Sequence, residues 1–149
     1  MQYTPDLTNN MRMELPFFVY GTLRPNCGND RRWHGLAMPY GDGAVYVRGF
    51  RLVGRGFPYA IPADADTWTT GCLIVPTPGN YDEVRRGLDQ LEGLPHHYSR
   101  HITAVYEGPN DQLPMAAWIY VPADVDEYHL NMAEVPGNDW HNAISERIR

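Results

Sequence analysis

The run Phe17-Phe18-Val19-Tyr20-Gly21-Thr22-Leu23-Arg24 constrains the fold more than any other stretch of this chain. Four strand-favouring residues break abruptly at a Gly-Thr turn. Gly21 permits backbone angles that would strain any other residue, and the turn is expected to aim successive N–H groups outward. Consecutive amides in such a turn form a concavity suited to an anion such as a carboxylate.

The pattern around this run is α+β. Ala44 to Val53 alternates as one long strand kinked at Gly49, and Thr69 to Val75 reads as another. Ile102 to Tyr106 and Met115 to Val121 flank the turn-rich Glu107-Gly108-Pro109-Asn110-Asp111, which predicts a hairpin. One helix is marked at both ends. Asn80 and Glu83 suit a capping box before Tyr81 to Glu92, and Gly93 suits a left-handed C-terminal cap. A second helix is expected over Asp139 to Ile148, with Trp140, Ala143, Ile144 and Ile148 on one face.

Composition removes several chemistries. The 149 residues suit one domain with one core. Twelve basic residues against eighteen acidic ones give a net charge of −6, with no basic cluster beyond Arg31-Arg32 and Arg85-Arg86. Nucleic acid is therefore not an expected partner. Every basic residue is Arg, which excludes a Schiff-base lysine, a Gly-Lys-Ser/Thr phosphate loop and a Ser-x-x-Lys nucleophile. Cys27 and Cys72 form no Cys-x-x-Cys spacing, so a disulfide framework or tetrathiolate metal site is excluded and a reducing, cytoplasmic setting is expected.

No stretch approaches the roughly 20 apolar residues of a membrane helix, so no membrane partner is expected. Met1 to Glu14 lacks the basic flank and apolar core of a secretory signal. It reads as a flexible or loosely docked extension over residues 1–14, ahead of a domain over 15–149, with Met11 or Met13 as an alternative start.

Within the marked helix, about 100° per residue places Tyr81, Val84, Leu88 and Leu91 on one arc, with Glu92 about 40° round from Leu88. Asp89 and Gln90 fall farther toward solvent. If Glu92 turns inward, burial and the helix C-terminus both raise its pKa, which suits a general acid/base. The pattern alone also allows it to bend out to water. His96, His97 and His101 invite a metal reading, but they follow Pro95 and run into an apparent strand, so they need not share a face. No Glu follows His97 as a zinc-protease motif demands. Cys27 and His34 are the plausible thiol–imidazole pair of the loop after the turn.

The motif Phe-Val-Tyr-Gly-Thr-Leu-Arg resembles the substrate loop of the gamma-glutamyl cyclotransferase-like proteins, a family that includes gamma-glutamylamine cyclotransferases and avirulence-induced-gene-like members. Leu88-Asp89-Gln90-Leu91-Glu92-Gly93 followed by Tyr98-Ser99-Arg100 resembles the family's second signature. Gly54 to Ala60, Gly71 and Ala117 to Tyr120 fit its intervening segments in the same order, so the likeness spans about residues 17–121. It implies a single-domain, mixed or antiparallel β-barrel-like sheet with a few flanking helices.

The resemblance also implies roles. Tyr20, Gly21, Thr22 and Leu23 would hold the alpha-carboxylate of a gamma-glutamyl group through the main chain. Glu92 would take a proton from the alpha-amine as it attacks the gamma-carbonyl, then return one to the departing amine, releasing 5-oxoproline. No cofactor or metal is implied, because positioning within one substrate supplies most of the advantage. Tyr98 and Tyr120 would flank the substrate, or pack structurally; Arg100 is expected to pair with an acidic neighbour.

The small-molecule gamma-glutamyl compound is the expected partner, and its leaving group is not legible in the loops Pro25 to Pro39, Leu94 to His97 and Pro122 to Trp140. Two other classes stay open: a non-catalytic binding or regulatory module with the same fold, and a thiol hydrolase using Cys27.

Overall fold

The computed structural model describes residues 13–141, apart from positions 26, 28–29, 42–43, 55–57, 95, 109–110 and 112. The architecture is α+β, a mixed, barrel-like sheet with a few short helices. Its strands are β1 (Phe17–Val19), β2 (Ala37–Pro39), β3 (Val45–Arg48), β4 (Phe50–Val53), β5 (Tyr59–Pro62), β6 (Trp68–Pro76), β7 (Tyr98–Tyr106) and β8 (Met115–Pro122). Helix α1 covers Tyr81–Glu92 and helix α2 covers Glu127–Leu130, with 3-10 turns at Asp30–Arg32 and Pro136–Asn138.

Strand β1 pairs parallel with β8 and antiparallel with β6. That double pairing closes β1, β8, β7, β3 and β6 into a ring, with β2 added along β6. Closure removes sheet edges that would otherwise expose unpaired backbone groups. The expected hairpin is present as β7 and β8, in register from Tyr98 opposite Pro122 to Val105 opposite Met115.

The stretch expected as one kinked strand divides instead. Gly49 adopts φ +83°, and the chain leaves the ring there: β3 pairs with β6 and β7, whereas β4 pairs with β5 in a separate two-stranded sheet. A left-handed residue turns the chain rather than merely bending it. Strands β2 and β5 lie in segments whose patterning did not announce them.

Alternation distributes the apolar side chains of β1 and β8 to two cores. Phe18, Ala117, Ile119 and Val121 pack inside with Val47, Leu73 and Val105. Phe17, Val19, Trp118 and Tyr120 face outward and pack with Val84 and Leu88 of α1. Both faces of β1 are thus buried, which is why its sequence reads as an unbroken apolar run. Gly71 is required by the same closure, since a Cβ there would strike the Val19 carbonyl and the Phe18 ring.

Helix α1 ends as expected and begins differently. Gly93 is left-handed, and the Gly93 and Leu94 N–H groups donate to Gln90 and Asp89 carbonyls at 3.2 and 3.1 Å. Asn80 makes no side-chain cap; its amide donates to Thr77 Oγ1 at 2.7 Å. The hydroxyl of the preceding turn competes for the capping side chain.

The last residues of the expected extension are tied to the domain, because the Met13 carbonyl accepts from Trp118 Nε1 and the Tyr81 hydroxyl, each at 3.1 Å. Residues 140–141 are helical, and the rest of the helix expected over 139–148 lies outside the described residues. So do Met11 and most of the 1–14 segment. No helix among the described residues is long and apolar enough to cross a membrane.

Candidate active site

Strand β1 delivers its C-terminal end, and the loop after it, to the mouth of a cavity of about 290 Å³. That volume is near the lower end for small-molecule sites, about 300 Å³. Tyr20, Gly21, Thr22, Leu23, Glu92, Tyr98 and Tyr120 all line it, together with Phe18, Val19, Pro58, Tyr59 and Leu91. Residues separated by a hundred positions in sequence converge because β1 pairs in parallel with β8 and α1 closes the same end.

The loop is tight. The Arg24 N–H donates to the Gly21 carbonyl at 3.0 Å, and the Leu23 carbonyl accepts from Trp33 Nε1 at 2.8 Å. Gly21 is needed for a reason other than the one expected. Its φ is not positive; instead a Cβ would lie 2.8 Å from Pro58 Cγ across the cavity wall. The close approach of a second segment, rather than backbone strain, selects glycine here.

Glu92 closes the cavity from the end of α1. Burial raises its pKa from an ordinary 4.5 to about 7. Among the described residues, no side chain bonds to its carboxyl. Three residues earlier, Asp89 lives differently. Arg100 Nη1 donates to both of its oxygens at 2.8 Å, the Tyr120 hydroxyl donates at 2.7 Å, and Arg85 stands 3.5 Å away.

Asp89 therefore does not face solvent, as its helical angle had implied; it is the hub that holds α1 against β7 and β8. Arg100 is 2% exposed in its side chain and lies over the Trp118 ring at 4.6 Å. The signal for this hub was the expected acidic partner of Arg100, which the helical angle led away from Asp89.

Tyr20, Tyr98 and Tyr120 of the wall are held in their neutral form. Burial, with the nearby Tyr98 and Glu92, pushes the Tyr20 phenol well up, and its hydroxyl donates to the Tyr120 carbonyl at 2.6 Å. Burial, then the Glu92 carboxylate, pushes up Tyr98. Burial, then Asp89, does the same for Tyr120. The Tyr98 ring stacks on Tyr59 at 5.8 Å and 9°, and Tyr59 meets the His129 edge at 5.1 Å.

Cys27 pairs with His141 rather than with His34: Sγ and Nδ1 are 3.0 Å apart. The C-terminal segment comes to the loop here, and the Arg24–Asp139 ion pair at 2.9 Å fastens the same two segments. Burial is the leading influence on the Cys27 thiol and pushes its pKa up, which disfavours a thiolate nucleophile. Cys27 does not line the cavity. His96 and His97 are exposed on the turn after α1, and His101 pairs with Ser99 at 2.7 Å. Among the described residues no three His, Cys, Asp or Glu side chains gather in a way that would hold a metal.

Comparison with known proteins places this arrangement. The family model described as "Gamma-glutamyl cyclotransferase, AIG2-like" matches residues 17–142. Among solved structures, an AIG2-like protein from Mus musculus is 22% identical, with 80% of this chain and 84% of that one covered and a TM-score of 0.63. A protein from Arabidopsis thaliana is 16% identical over 99% of this chain and 81% of its own, TM-score 0.64. An uncharacterized protein from Pyrococcus horikoshii is 13% identical over 90% and 96%, TM-score 0.62. These likenesses show a shared fold. No curated protein matches the chain.

Proposed function

The chain belongs to the gamma-glutamyl cyclotransferase, AIG2-like family, and from that premise we propose that it converts a gamma-glutamyl compound into 5-oxoproline and a free amine or amino acid. The observation that carries this reading is Glu92, a half-buried carboxyl in the cavity wall with its pKa raised by desolvation to about 7. A group that holds and releases a proton near neutrality suits both halves of an intramolecular aminolysis.

The substrate's alpha-carboxylate would sit against the main chain of Gly21 to Leu23, where turn amides favour an anion. Tyr20, Tyr98 and Tyr120 would wall the glutamyl chain, folding it so that its own amine meets its gamma-carbonyl. The neutral alpha-amine attacks that carbon, a C–N bond forms, and the nitrogen sheds one proton to the Glu92 carboxylate. As the carbonyl re-forms, the bond to the departing nitrogen breaks and Glu92 returns the same proton to it. The atoms balance as one 5-oxoproline and one amine, with no water consumed. Ring closure within a bound substrate draws on proximity, worth as much as roughly 7–11 kcal/mol in well-oriented systems.

The test is 5-oxoproline release from a panel of gamma-glutamyl amines and gamma-glutamyl amino acids, with alpha-N-acetylated and alpha-esterified counterparts. Release is expected from the free compounds, weaker binding from the ester, and none from the acetylated compound, whose nucleophile is blocked. Cleavage of the acetylated compound would assign attack to water or a thiol and overturn the cyclotransferase reading. Binding of the panel without turnover would leave a binding or regulatory module in its place.

A further inference from the structure

Four tyrosines line the cavity, and their hydroxyl protons are not equivalent. Tyr20 donates to the Tyr120 carbonyl at 2.6 Å. Tyr120 donates to Asp89 at 2.7 Å. Both protons are committed to the wall. Among the described residues, no acceptor takes the hydroxyl proton of Tyr98 or Tyr59. Of these two, Tyr98 is the one that feels the Glu92 carboxylate, and burial keeps its phenol neutral and able to donate.

The backbone brings Tyr98 and Glu92 to the wall of the same cavity. Glu92 is the last residue of α1 and Tyr98 the first of β7. The turn between them is closed by the His96 and His97 N–H groups donating to the Gly93 carbonyl at 3.1 and 3.0 Å. The His97 carbonyl in turn accepts from the Ala123 N–H at 3.0 Å. The turn is compact, since a Cβ on Gly93 would lie 2.7 Å from the His97 ring. The Tyr59 ring stacks on Tyr98 at 9°, and the His129 ring meets Tyr59 at a steep angle, 5.1 Å between centroids. The Tyr98 ring is thus braced by its stack on Tyr59 and by the closed turn that precedes β7.

We infer that Tyr98 is a second catalytic residue, its hydroxyl donating a hydrogen bond to the gamma-carbonyl oxygen as that oxygen becomes an oxyanion. This rests on the cyclotransferase reading and adds a division of labour to it. Glu92 moves the proton between nitrogens, and Tyr98 steadies the negative charge on oxygen without transferring its own proton. When the tetrahedral centre collapses, the electron pair returns to the carbonyl, the bond to the leaving nitrogen breaks, and the Tyr98 hydroxyl is unchanged. A fixed donor aimed at developing charge acts in the transition state more than in the ground state, so its removal lowers kcat rather than raising KM.

The test is Tyr98→Phe, which retains the ring and its stack on Tyr59 and removes only the donor. With the best substrate of the panel, kcat is expected to fall about 10²- to 10³-fold, as for other single oxyanion donors, with KM within about threefold and the melting temperature within a few degrees of wild type. A folded Tyr98→Phe protein with kcat within threefold of an active wild type overturns the role of Tyr98 and leaves the cyclotransferase reading standing. A loss carried by KM with kcat intact assigns Tyr98 to uniform substrate binding, which also overturns the inference. A wild-type protein that releases no 5-oxoproline from any free gamma-glutamyl compound removes both readings together.

Discussion

Two carboxyl groups three residues apart on α1 meet opposite surroundings. Asp89, at the closed side of the helix, is gripped by Arg100, Tyr120 and Arg85. Glu92, at the cavity, is half-buried and has its pKa raised by desolvation to about 7. The same helix therefore carries one carboxylate that binds the fold together and one held at a cost in solvation. Whether a partly desolvated acid is structural or reactive thus turns on the partners it is given. A cation and a phenol satisfy the first, whereas no side chain among the described residues bonds to the second.

The comparison breaks most visibly in activity. Glu92→Gln keeps the shape and loses the titratable proton, so 5-oxoproline formation is expected to fall by about 10²- to 10⁴-fold while circular dichroism and melting remain those of a folded protein. Near-normal turnover in that variant would remove Glu92 from the chemistry.

Asp89→Ala is expected to act on the fold instead, leaving the Arg100 guanidinium buried beside Trp118 without its carboxylate. The loss should be about 3–5 kcal/mol in urea unfolding. A drop below about 1 kcal/mol would mean that the hub is not what fastens α1 to β7 and β8.

A third test uses the sign of the Glu92 shift. The folded-state pKa lies above the unfolded one, so the protonated carboxyl favours folding below about 4.5, and that advantage is lost as pH rises through about 7. Glu92→Gln should therefore be more stable than wild type at pH 8 by about 1–3 kcal/mol, with the difference vanishing near pH 4. The activity of the wild type should rise through the same window, since the base must be ionised. Denaturation midpoints of the two proteins across pH check the first statement, and a kcat/KM profile checks the second.

The smallest effect sharpens the contrast within the hub. Tyr120→Phe removes one of the donors to Asp89 and leaves Arg100 in place, so it should cost about 1 kcal/mol of stability, read from the unfolding midpoint. A loss as large as that of Asp89→Ala would place the weight of the hub on the phenol rather than the guanidinium.

Much of the architecture was legible because it is written in local patterns. Phe17 to Tyr20 is apolar without interruption because β1 is buried on both faces, and Gly93 stops α1 because a left-handed residue is needed there. The hairpin of β7 and β8 announced itself through its turn residues. What escaped was set by neighbours remote in sequence. The break at Gly49 depends on β5 being available to pair with β4, and the Asn80 side chain bonds to the Thr77 hydroxyl instead of capping α1. Cys27 found His141 rather than His34 because the C-terminal segment comes to the loop.

At the cavity the division is sharpest. Helical angles in the sequence determined that Glu92 lies near the inward arc of α1, and a strand ending in Gly-Thr determined that a loop projects at residues 21–23. The folded chain alone settled that Pro58 must pass within reach of Gly21, that Asp89 is covered by Arg100 and Tyr120, and that Tyr98 shares the cavity wall with Glu92, its hydroxyl proton taken by no acceptor among the described residues. The physical reason is that a helical period sets only the direction of a side chain. Its ionisation and its partners depend on which distant strands desolvate it and which of their charges and protons arrive with them.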